Sequence, residues 1–323
     1  MQVRSESWPI RGSFRISRGA RTEARVLMVE LEQDGLAGRG ECVPYARYGE
    51  SIDSVAQQIE TIRKEVEGGL HRADLQAVLP PGAARNAIDC ALWDLEAKLT
   101  GTSVAALSGF DTLKPVTTAF TISLDAPNAM AKAAAEAADR PLLKLKLGGE
   151  GDVERVQAVR ALRPDADLIV DANEAWTVDQ VEPFSAALAE ERVLLIEQPL
   201  PADQDEALRG LARPVPLGAD ESVHARGTLK RLQGLYDVIN VKLDKTGGLT
   251  EALVMIGEAK PLGFEIMTGC MVSTSLSMAP AFLVAQSSRF VDLDGPLLLA
   301  EDRSPGLRYE GALLYPPEPV LWG

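Results

Sequence analysis

From about Pro115 onward, the sequence alternates between short apolar runs and stretches with helical periodicity. Strands that alternate with helices in this way form parallel sheets. Eight such strands at intervals of roughly 25 residues favour a closed (β/α) barrel. Helical stretches such as 127–138 and 153–162 separate the runs. The eight apolar runs are 117–122, 142–147, 168–171, 193–197, 215–219, 238–242, 265–267 and 290–293.

An open, doubly wound sheet is the alternative architecture for this alternation. Such sheets commonly bind dinucleotides through a Gly-x-Gly-x-x-Gly turn that follows a strand. No predicted strand is followed by that turn. The dinucleotide-binding version of the open sheet is therefore weakened, and the barrel is favoured.

The first third of the chain has a different pattern. Residues 25–32 and 39–43 predict a β-hairpin, 51–66 has helical periodicity, and 83–99 predicts a stronger helix that ends at Gly101. This mixture is typical of a small α+β domain. We therefore divide the chain into an α+β domain over 1–112, a barrel over 113–303 and a tail over 304–323 that returns to the first domain.

Composition excludes several classes of function. A net charge of −14 over 323 residues makes nucleic acid an unexpected partner. The three cysteines, Cys42, Cys90 and Cys270, are far apart and form no disulfide framework, which is typical of a reducing compartment. No apolar stretch is long enough to span a bilayer, so we expect a soluble, cytoplasmic protein without a membrane partner. Only His71 and His224 are present, so acid/base chemistry falls mainly on other residue types.

Charged residues end five successive predicted strands. Because the carboxyl ends of barrel strands meet at one mouth, these side chains are expected to lie close together. Their spacing supports this, since the steps 146 to 171, 171 to 197, 197 to 220 and 220 to 242 each approximate one βα unit. The charged residues are Lys144 and Lys146 on the second strand, then Asp171, Glu197, Asp220 and Lys242 on the next four.

Three carboxylates at one mouth predict a metal site. A single Asp at a strand end is most often a helix cap or a turn residue. Three together repel one another unless a cation neutralises them. Ligands that offer only oxygen suit Mg²⁺ before Mn²⁺ or Ca²⁺, and the lack of His or Cys disfavours Zn²⁺.

The lysines on either side of the acids predict proton transfer. A lysine with an unperturbed pKa of about 10.4 is a poor base at neutral pH, but a nearby ammonium or metal ion favours its neutral form. Strand alternation places Lys144 and Lys146 on one face, and Lys242 approaches from the opposite side. Two lysines on opposite faces of one carbon can remove a proton from one side and return it on the other.

These motifs resemble those of the enolase superfamily, and in particular its dipeptide epimerases, within the muconate-cycloisomerase-like subgroup. The resemblance covers nearly the whole chain. It implies a (β/α)₇β modified TIM barrel, with an N-terminal α+β capping domain that the C-terminal tail completes. The motifs are Lys144-Leu145-Lys146, Asp171-Ala172-Asn173, Glu197-Gln198-Pro199, Asp220-Glu221-Ser222, the run 242–248, Arg18-Gly19-Ala20-Arg21 and the run 40–45.

The resemblance also implies a role for each site residue. Lys146 and Lys242 would be the two acid/base groups. Lys144 would lie near the substrate carboxylate and help to set the pKa of Lys146. The ligands of one Mg²⁺ per subunit, with Mn²⁺ as a substitute, would be Asp171, Glu197 and Asp220.

The last strand and a loop of the capping domain imply the substrate. Asp292 and Asp294 alternate onto one face, where the resemblance implies that they hold a free α-ammonium, although a strand end before a turn is the favoured explanation for the pair in isolation. Arg21, or Arg18 in its place, lies in a loop that resembles the family's specificity loop and would pair with a side-chain carboxylate. An exposed surface arginine is the other interpretation. Thr121 and Cys270 lie at strand ends and are expected to contact substrate.

Charge matching then predicts a dipeptide that ends in Glu. The resemblance implies epimerisation between L-Ala-D-Glu and L-Ala-L-Glu, by two-lysine 1,1-proton transfer through an enediolate, and suggests a place in the recycling of cell-wall peptides. An N-acylamino-acid racemase or a cycloisomerase of the same subgroup is the alternative, and a non-catalytic ligand-binding barrel is a more distant one. Barrels of this family often assemble, so a homo-oligomer stays open.

Overall fold

The N-terminal part of the chain is built on a three-stranded antiparallel sheet. A computed structural model describes all residues, 1–323. Its sheet has the order β1-β2-β3, and β1 and β2 form a long hairpin whose register shifts between Pro9 and Phe14. The strands are β1 (Gln2–Ile16), β2 (Gly19–Gln33) and β3 (Leu36–Cys42).

Helices cover one face of this sheet. The longest, α4, packs directly against β3 because two glycines allow the close approach. A Cβ atom on Gly40 would lie 2.1 Å from the carbonyl oxygen of Ala87, and one on Gly38 would lie 2.3 Å from that of Ala91. The helices are α1 (Ile52–Thr61), α2 (Arg63–Glu67), α3 (Arg72–Val78), α4 (Ala83–Thr100) and α5 (Val104–Leu107).

Eight parallel strands form the second sheet, in which each strand pairs with the next along the chain. The first and last strands meet where the N–H of Ala119 donates to the carbonyl of Val291 at 2.8 Å, which closes the barrel. The strands are β5 (Phe120–Ile122), β6 (Leu142–Lys146), β7 (Asp167–Asp171), β8 (Val193–Glu197), β9 (Leu217–Ala219), β10 (Val238–Val241), β11 (Glu265–Thr268) and β12 (Phe290–Val291).

Helices outside the barrel connect the strands and bury its outer surface. Only a 3-10 helix links β8 to β9, and α12 is buried along its whole length. The resulting core cluster contains 57 buried residues. The helices are α6 (Pro127–Glu136), α7 (Asp152–Leu162), α8 (Val178–Glu190), α9 (Leu229–Leu232), α10 (Leu243–Thr246), α11 (Leu249–Ala259), α12 (Ser275–Ala285) and α13 (Gly295–Leu298).

The C-terminal segment contacts both parts of the molecule. Its hairpin pairs with β4, just ahead of the barrel, in a small antiparallel sheet. Beyond the hairpin, Trp322 Nε1 donates to the carbonyl of Cys90 at 3.0 Å and the N–H of Gly323 donates to Asp94 at 2.8 Å. The division of the chain at about 112 and 304 stays a prediction. The strands are β4 (Val116–Thr117), β13 (Tyr309–Glu310) and β14 (Leu313–Leu314).

The structure confirms the predicted fold and adds two features. Residues 2–16 form a strand that we did not predict, and only Ile10 in it is buried. The helix expected over 51–66 is two helices that meet at Ile62. No helix combines the length and the apolarity that crossing a bilayer requires.

Candidate functional site

Sheet register places three of the predicted site residues side by side. Lys146 is paired with Asp171 across β6 and β7, and Asp171 is paired with Glu197 across β7 and β8. All three end their strands at the same level of the barrel. Asp220 and Lys242 directly follow β9 and β10, so the mouth collects these five of the six charges that the sequence predicts there.

The three acids form one compact, buried cluster. One carboxylate oxygen from each of Asp171, Glu197 and Asp220 lies within 4.8 Å of the others. The three residues are at most 2% exposed. Burying three carboxylates together is costly unless cations compensate them.

Four lysines provide that compensation. Lys146 Nζ donates to Asp171 Oδ2 at 2.6 Å, and Lys242 Nζ donates to Asp220 Oδ2 at 2.6 Å. Lys144 Nζ lies 2.6 Å from Glu197 Oε2 and 3.5 Å from Asp171 Oδ2. The fourth, Lys245, is fully buried and donates to both the carboxylate and the carbonyl of Asp220.

Burial and the neighbouring lysines shift the pKa values of the three acids in opposite directions. Burial by itself would raise the pKa of Asp171, but Lys146 and Lys144 outweigh it and hold that pKa at about 2. Burial also opposes the ionisation of Asp220, yet Lys242 and Lys245 keep its pKa well below the usual range. Burial, reinforced by the charge of Asp171, raises the pKa of Glu197 to about 7. Glu197 is therefore the acid of the cluster whose charged form is least favoured.

The acids raise the pKa values of two of the lysines. Burial would lower the pKa of Lys144, but Asp292 and Glu197 outweigh it and the pKa lies well above the ordinary value. Asp220 and Glu197 likewise outweigh burial and raise the pKa of Lys242. Lys144 and Lys242 are therefore protonated as long as these carboxylates lie beside them.

The donor set of the cluster fits a hard divalent cation. Its three ligands are carboxylates, with no sulfur or imidazole among them. Two further buried carboxylate oxygens nearby, Glu221 Oε2 and Asp292 Oδ1, accept no hydrogen bond. The site therefore offers more acceptors than its own donors satisfy.

Asp292 and Asp294 follow the last barrel strand and lie beside the cluster. Asp292 Oδ2 accepts from Lys144 at 2.8 Å, and Asp294 Oδ2 accepts from the backbone N–H of Thr121 at 2.6 Å. Burial and the neighbouring Asp292 raise the pKa of Asp294 to about 7. The pair forms an acidic wall of the cavity above the barrel.

That cavity lies between the barrel mouth and the β1–β2 hairpin. Lys144 does not line it, because its side chain is fully buried behind the acids, so a contact between Lys144 and substrate stays a prediction. Apolar walls come from the hairpin and from the loop after β11. The predicted residues that line the cavity are Lys146, Lys242, Asp220, Asp292, Asp294, Thr121, Cys270, Arg18 and Arg21.

Arg21 and Cys270 differ in their environments. The Arg21 side chain makes no hydrogen bond or ion pair, and its guanidinium lies 5.1 Å from the ring centroid of Tyr45. Burial raises the pKa of the Cys270 thiol well above its usual value, so this residue is a neutral cavity wall. Both placements agree with the predicted contacts, whose roles stay proposals.

Two further residues, Asn240 and Lys245, contact the acids, and we predicted no role for either from the sequence. Asn240 Nδ2 donates to Glu197 Oε1 at 2.6 Å, and Lys245 holds Asp220 as described above. Strand alternation could have identified Asn240, since it is two residues before Lys242 and faces the same side. Tyr45 and Tyr48 also line the cavity, and nothing in the local pattern distinguishes them from core aromatics.

Two family models match the chain. Residues 1–109 match the N-terminal domain of the mandelate racemase / muconate lactonizing enzyme family. Residues 129–317 match the "Enolase C-terminal domain-like" family. Together the two matches cover the capping sheet and the barrel from α6 onward, in the order that the structure has them.

Characterised relatives align along almost the whole chain. An L-Ala-D/L-Glu epimerase from Escherichia coli (strain K12) is 48% identical over 311 residues, which are 96% of this chain and 97% of the relative. An N-acetyl-D-glutamate racemase from Pseudoalteromonas sp is 43% identical over 92% of this chain and 95% of its own.

Solved structures are also very similar. An enolase family member from Agrobacterium tumefaciens with homology to dipeptide epimerases, solved with sodium, L-Ala-L-Glu and an ordered loop, has a TM-score of 0.98 and 55% identity, covering 100% of this chain and 99% of that one. A dipeptide epimerase from Enterococcus faecalis, complexed with Mg and L-Leu-L-Tyr, has a TM-score of 0.90 and 29% identity, covering 98% and 96%.

Proposed function

The chain belongs to the mandelate racemase / muconate lactonizing enzyme family of the enolase superfamily, and we propose that it is a dipeptide epimerase that interconverts L-Ala-D-Glu and L-Ala-L-Glu. The observation that carries this proposal is the mouth of the barrel. It places a lysine on each side of three clustered acids, and a further pair of acids beside them.

Asp171, Glu197 and Asp220 are the Mg²⁺ ligands in this proposal, with Mn²⁺ as a substitute. Their compact all-oxygen arrangement supports the assignment, and so does the similarity to a dipeptide epimerase that was solved with Mg. The bound ion would neutralise the substrate carboxylate and stabilise the negative charge that develops on it during deprotonation.

Lys146 and Lys242 transfer the proton. A cation bound by the acids would draw their charge away from the two lysines, so that one lysine can lose its proton and remove the Cα proton of the C-terminal residue. The enediolate then takes a proton from the ammonium of the other lysine on the opposite face. Their attachment to opposite acids of the cluster, Asp171 and Asp220, supports an approach from two sides. Lys144 adds positive charge behind the acids.

The two ends of the substrate are recognised by opposite charges. Asp292 and Asp294 hold the α-ammonium of the first residue, and their position on the cavity wall supports this role. Arg21 pairs with the side-chain carboxylate of a C-terminal Glu. It lines the cavity and has no competing acidic partner, which leaves its guanidinium available.

N-Acetylglutamate racemisation is the second candidate function, because one relative at 43% identity carries that activity. An N-acyl substrate has no ammonium to pair with Asp292. The second candidate would therefore leave two acids in the cavity without a cationic partner from the substrate. This charge argument favours the dipeptide.

We also propose a cellular location and a pathway for the enzyme, on the basis of the same family resemblance. All three cysteines are free thiols, which supports a reducing compartment such as the cytoplasm. The family resemblance also suggests that the enzyme acts in the recycling of cell-wall peptides.

Proton NMR in D₂O tests the proposal directly. The enzyme with Mg²⁺ is incubated separately with L-Ala-L-Glu and with N-acetyl-L-glutamate. We expect the Glu Cα-proton signal of the dipeptide to disappear while the L-Ala-D-Glu resonances grow. Reaction of N-acetylglutamate alone would replace the proposal by the second candidate, and no exchange in either substrate would reject both.

A further inference from the structure

The turn of the β1–β2 hairpin is fastened to the barrel mouth through one arginine. The Nη2 atom of Arg18 donates to Glu221 Oε1 at 2.6 Å, and Nη1 donates to the carbonyl of Asn173 at 2.9 Å. Nη1 also lies 3.2 Å from Glu174 Oε2. The Arg18 side chain is 28% exposed and that of Glu221 is 1% exposed, so the Glu221 end of this pair is shielded from solvent.

The partners of Arg18 belong to two loops that leave the acid cluster. Asn173 and Glu174 come two and three residues after Asp171, and Glu221 comes one residue after Asp220. Asn173 and Glu174 adopt positive φ values of 45° and 66°, which non-glycine residues rarely do. Such conformations persist only where surrounding contacts hold them. Arg18 is one of the residues that supply those contacts.

Glu174 connects the hairpin to a second loop of the capping domain. It accepts from Arg47 Nε at 2.8 Å and from Arg47 Nη2 at 2.7 Å, in a bidentate pair. It also accepts from the backbone N–H of Ala202 at 2.9 Å. Ser17 Oγ adds a bond to the carbonyl of Asn173 at 2.9 Å. The turn is therefore held on the barrel side by several polar contacts, and Arg18 makes most of them.

Arg21 lies three residues beyond Arg18 in the same hairpin and has no polar contact of its own. Its position over the cavity depends on the turn that Arg18 fastens. We infer that Arg18 is a positioning residue, which clamps the hairpin turn onto the loops after Asp171 and Asp220 and thereby holds Arg21 where the substrate side chain binds. The part of this inference that concerns substrate rests on the proposed function.

The first test measures the clamp without any catalysis. Hydrogen exchange is followed by mass spectrometry over the backbone amides of 14–22 in the resting enzyme. We expect Arg18→Gln to accelerate exchange in this segment by about tenfold, because only the Ser17 bond to Asn173 and the backbone bonds of Arg15 to Ser123 and Leu124 would then hold the segment on the barrel. Arg15→Gln is the matched control, since Arg15 is an exposed arginine of the same hairpin whose side chain makes no polar contact. Arg15→Gln should leave exchange unchanged.

The second test measures whether Arg18 acts through Arg21. For L-Ala-L-Glu, Arg18→Gln should raise KM by about tenfold and change kcat much less, as expected when a charge-assisted contact to substrate is weakened. Neutral L-Ala-L-Gln should show little change in KM. In an Arg21→Gln background, Arg18→Gln should add almost nothing, since the two residues act as one unit. Arg18→Lys should restore part of the loss.

Each outcome has a separate meaning. Unchanged exchange in Arg18→Gln would overturn the clamp. Faster exchange with a KM effect that persists in the Arg21→Gln background would overturn the action through Arg21. If the wild-type enzyme does not epimerise L-Ala-L-Glu, the proposed function fails, while the exchange experiment still decides whether the clamp exists.

Discussion

At the scale of single residues, the site is a balance of buried charges. Each proposed metal ligand has a lysine within 2.6 Å, and every one of these side chains is almost fully buried. Removing one member leaves its partner charged and without compensation, which costs roughly 3–5 kcal/mol in buried pairs. Substitutions here should therefore be checked for folding before their kinetics are interpreted.

Substituting either lysine that we propose to be catalytic should abolish epimerisation but not all proton chemistry. Lys146→Ala removes the acid/base on one face and Lys242→Ala removes the other, so neither variant completes the inversion. One epimer should still exchange its Cα proton with D₂O in each variant, and the epimer should differ between them. Proton NMR checks both statements.

Lys132→Ala is the control for these variants, because Lys132 is an exposed lysine on α6 with a side chain that is 79% accessible. Full epimerase activity in both Lys146→Ala and Lys242→Ala would remove the two residues from the mechanism.

Replacing Asp220 by Asn should weaken Mg²⁺ binding by roughly 10- to 100-fold, since one of three anionic ligands becomes neutral. Isothermal calorimetry of the enzyme with Mg²⁺ alone measures this without substrate. Asp203→Asn, in the exposed 3-10 segment after β8, is a control with the same change of charge. Equal affinities in the two variants would exclude Asp220 from the ligand set.

At the scale of elements, the barrel strands were predictable and the first strand was not. Strands β7 and β8 are apolar runs that end in a charge, and β6 alternates leucine with Lys144 and Lys146, patterns that local sequence carries by itself. Strand β1 has one buried residue in fifteen, so hydrophobic periodicity gives no signal for it. Its pairing depends on β2 and on the loops that hold the turn, which are long-range contacts.

The same distinction applies to the site. The acids and lysines could be placed at the barrel mouth from the sequence, because each lies at a strand end. The buried position of Lys144 behind Glu197, and the pairing of Arg18 with Glu221, depend on how separate loops meet. No short-range sequence pattern predicts which of these loops come into contact.

Gly40→Ala should destabilise the packing of α4 on β3. The added methyl group would meet the Ala87 carbonyl oxygen at 2.1 Å, and backbone cannot give way as a flexible side chain can. Overpacking of this kind costs roughly 1–3 kcal/mol. We expect a lower Tm by calorimetry or circular dichroism. Gly227→Ala is the control, because nothing lies within 4 Å of its added Cβ, and an equal loss in both variants would contradict the packing argument.

At the scale of the whole molecule, one buried histidine makes the junction of cap and barrel sensitive to pH. His224, in the loop after β9, packs edge-to-face on Tyr48 of the capping domain at 4.6 Å. Burial, with Lys245 adding to it, lowers the pKa of His224 from 6.5 to about 4, although Asp220 opposes this shift and Arg47 supports it. The folded state thus prefers the neutral ring.

The sign of this pH effect follows from the lowered pKa. The contribution of neutral His224 to stability is fully present above about pH 6.5 and is lost as pH falls towards 4. His224→Gln removes this titration, so the difference in Tm between wild type and variant should shrink as pH is lowered from 7 to 4. Calorimetry at several pH values measures it. A difference in Tm that stays constant over this range would contradict the assignment.

The contacts of Trp322 and Gly323 with α4 also affect when the capping domain can finish folding during protein synthesis. The ribosome completes the capping sheet and its helices early, yet two of their contacts come from residues that emerge only after the entire barrel. The carbonyl of Gly323 also accepts from the N–H of Val104. A nascent chain therefore carries an unfinished cap throughout its elongation, and the cap should reach its final stability only once synthesis has passed these residues.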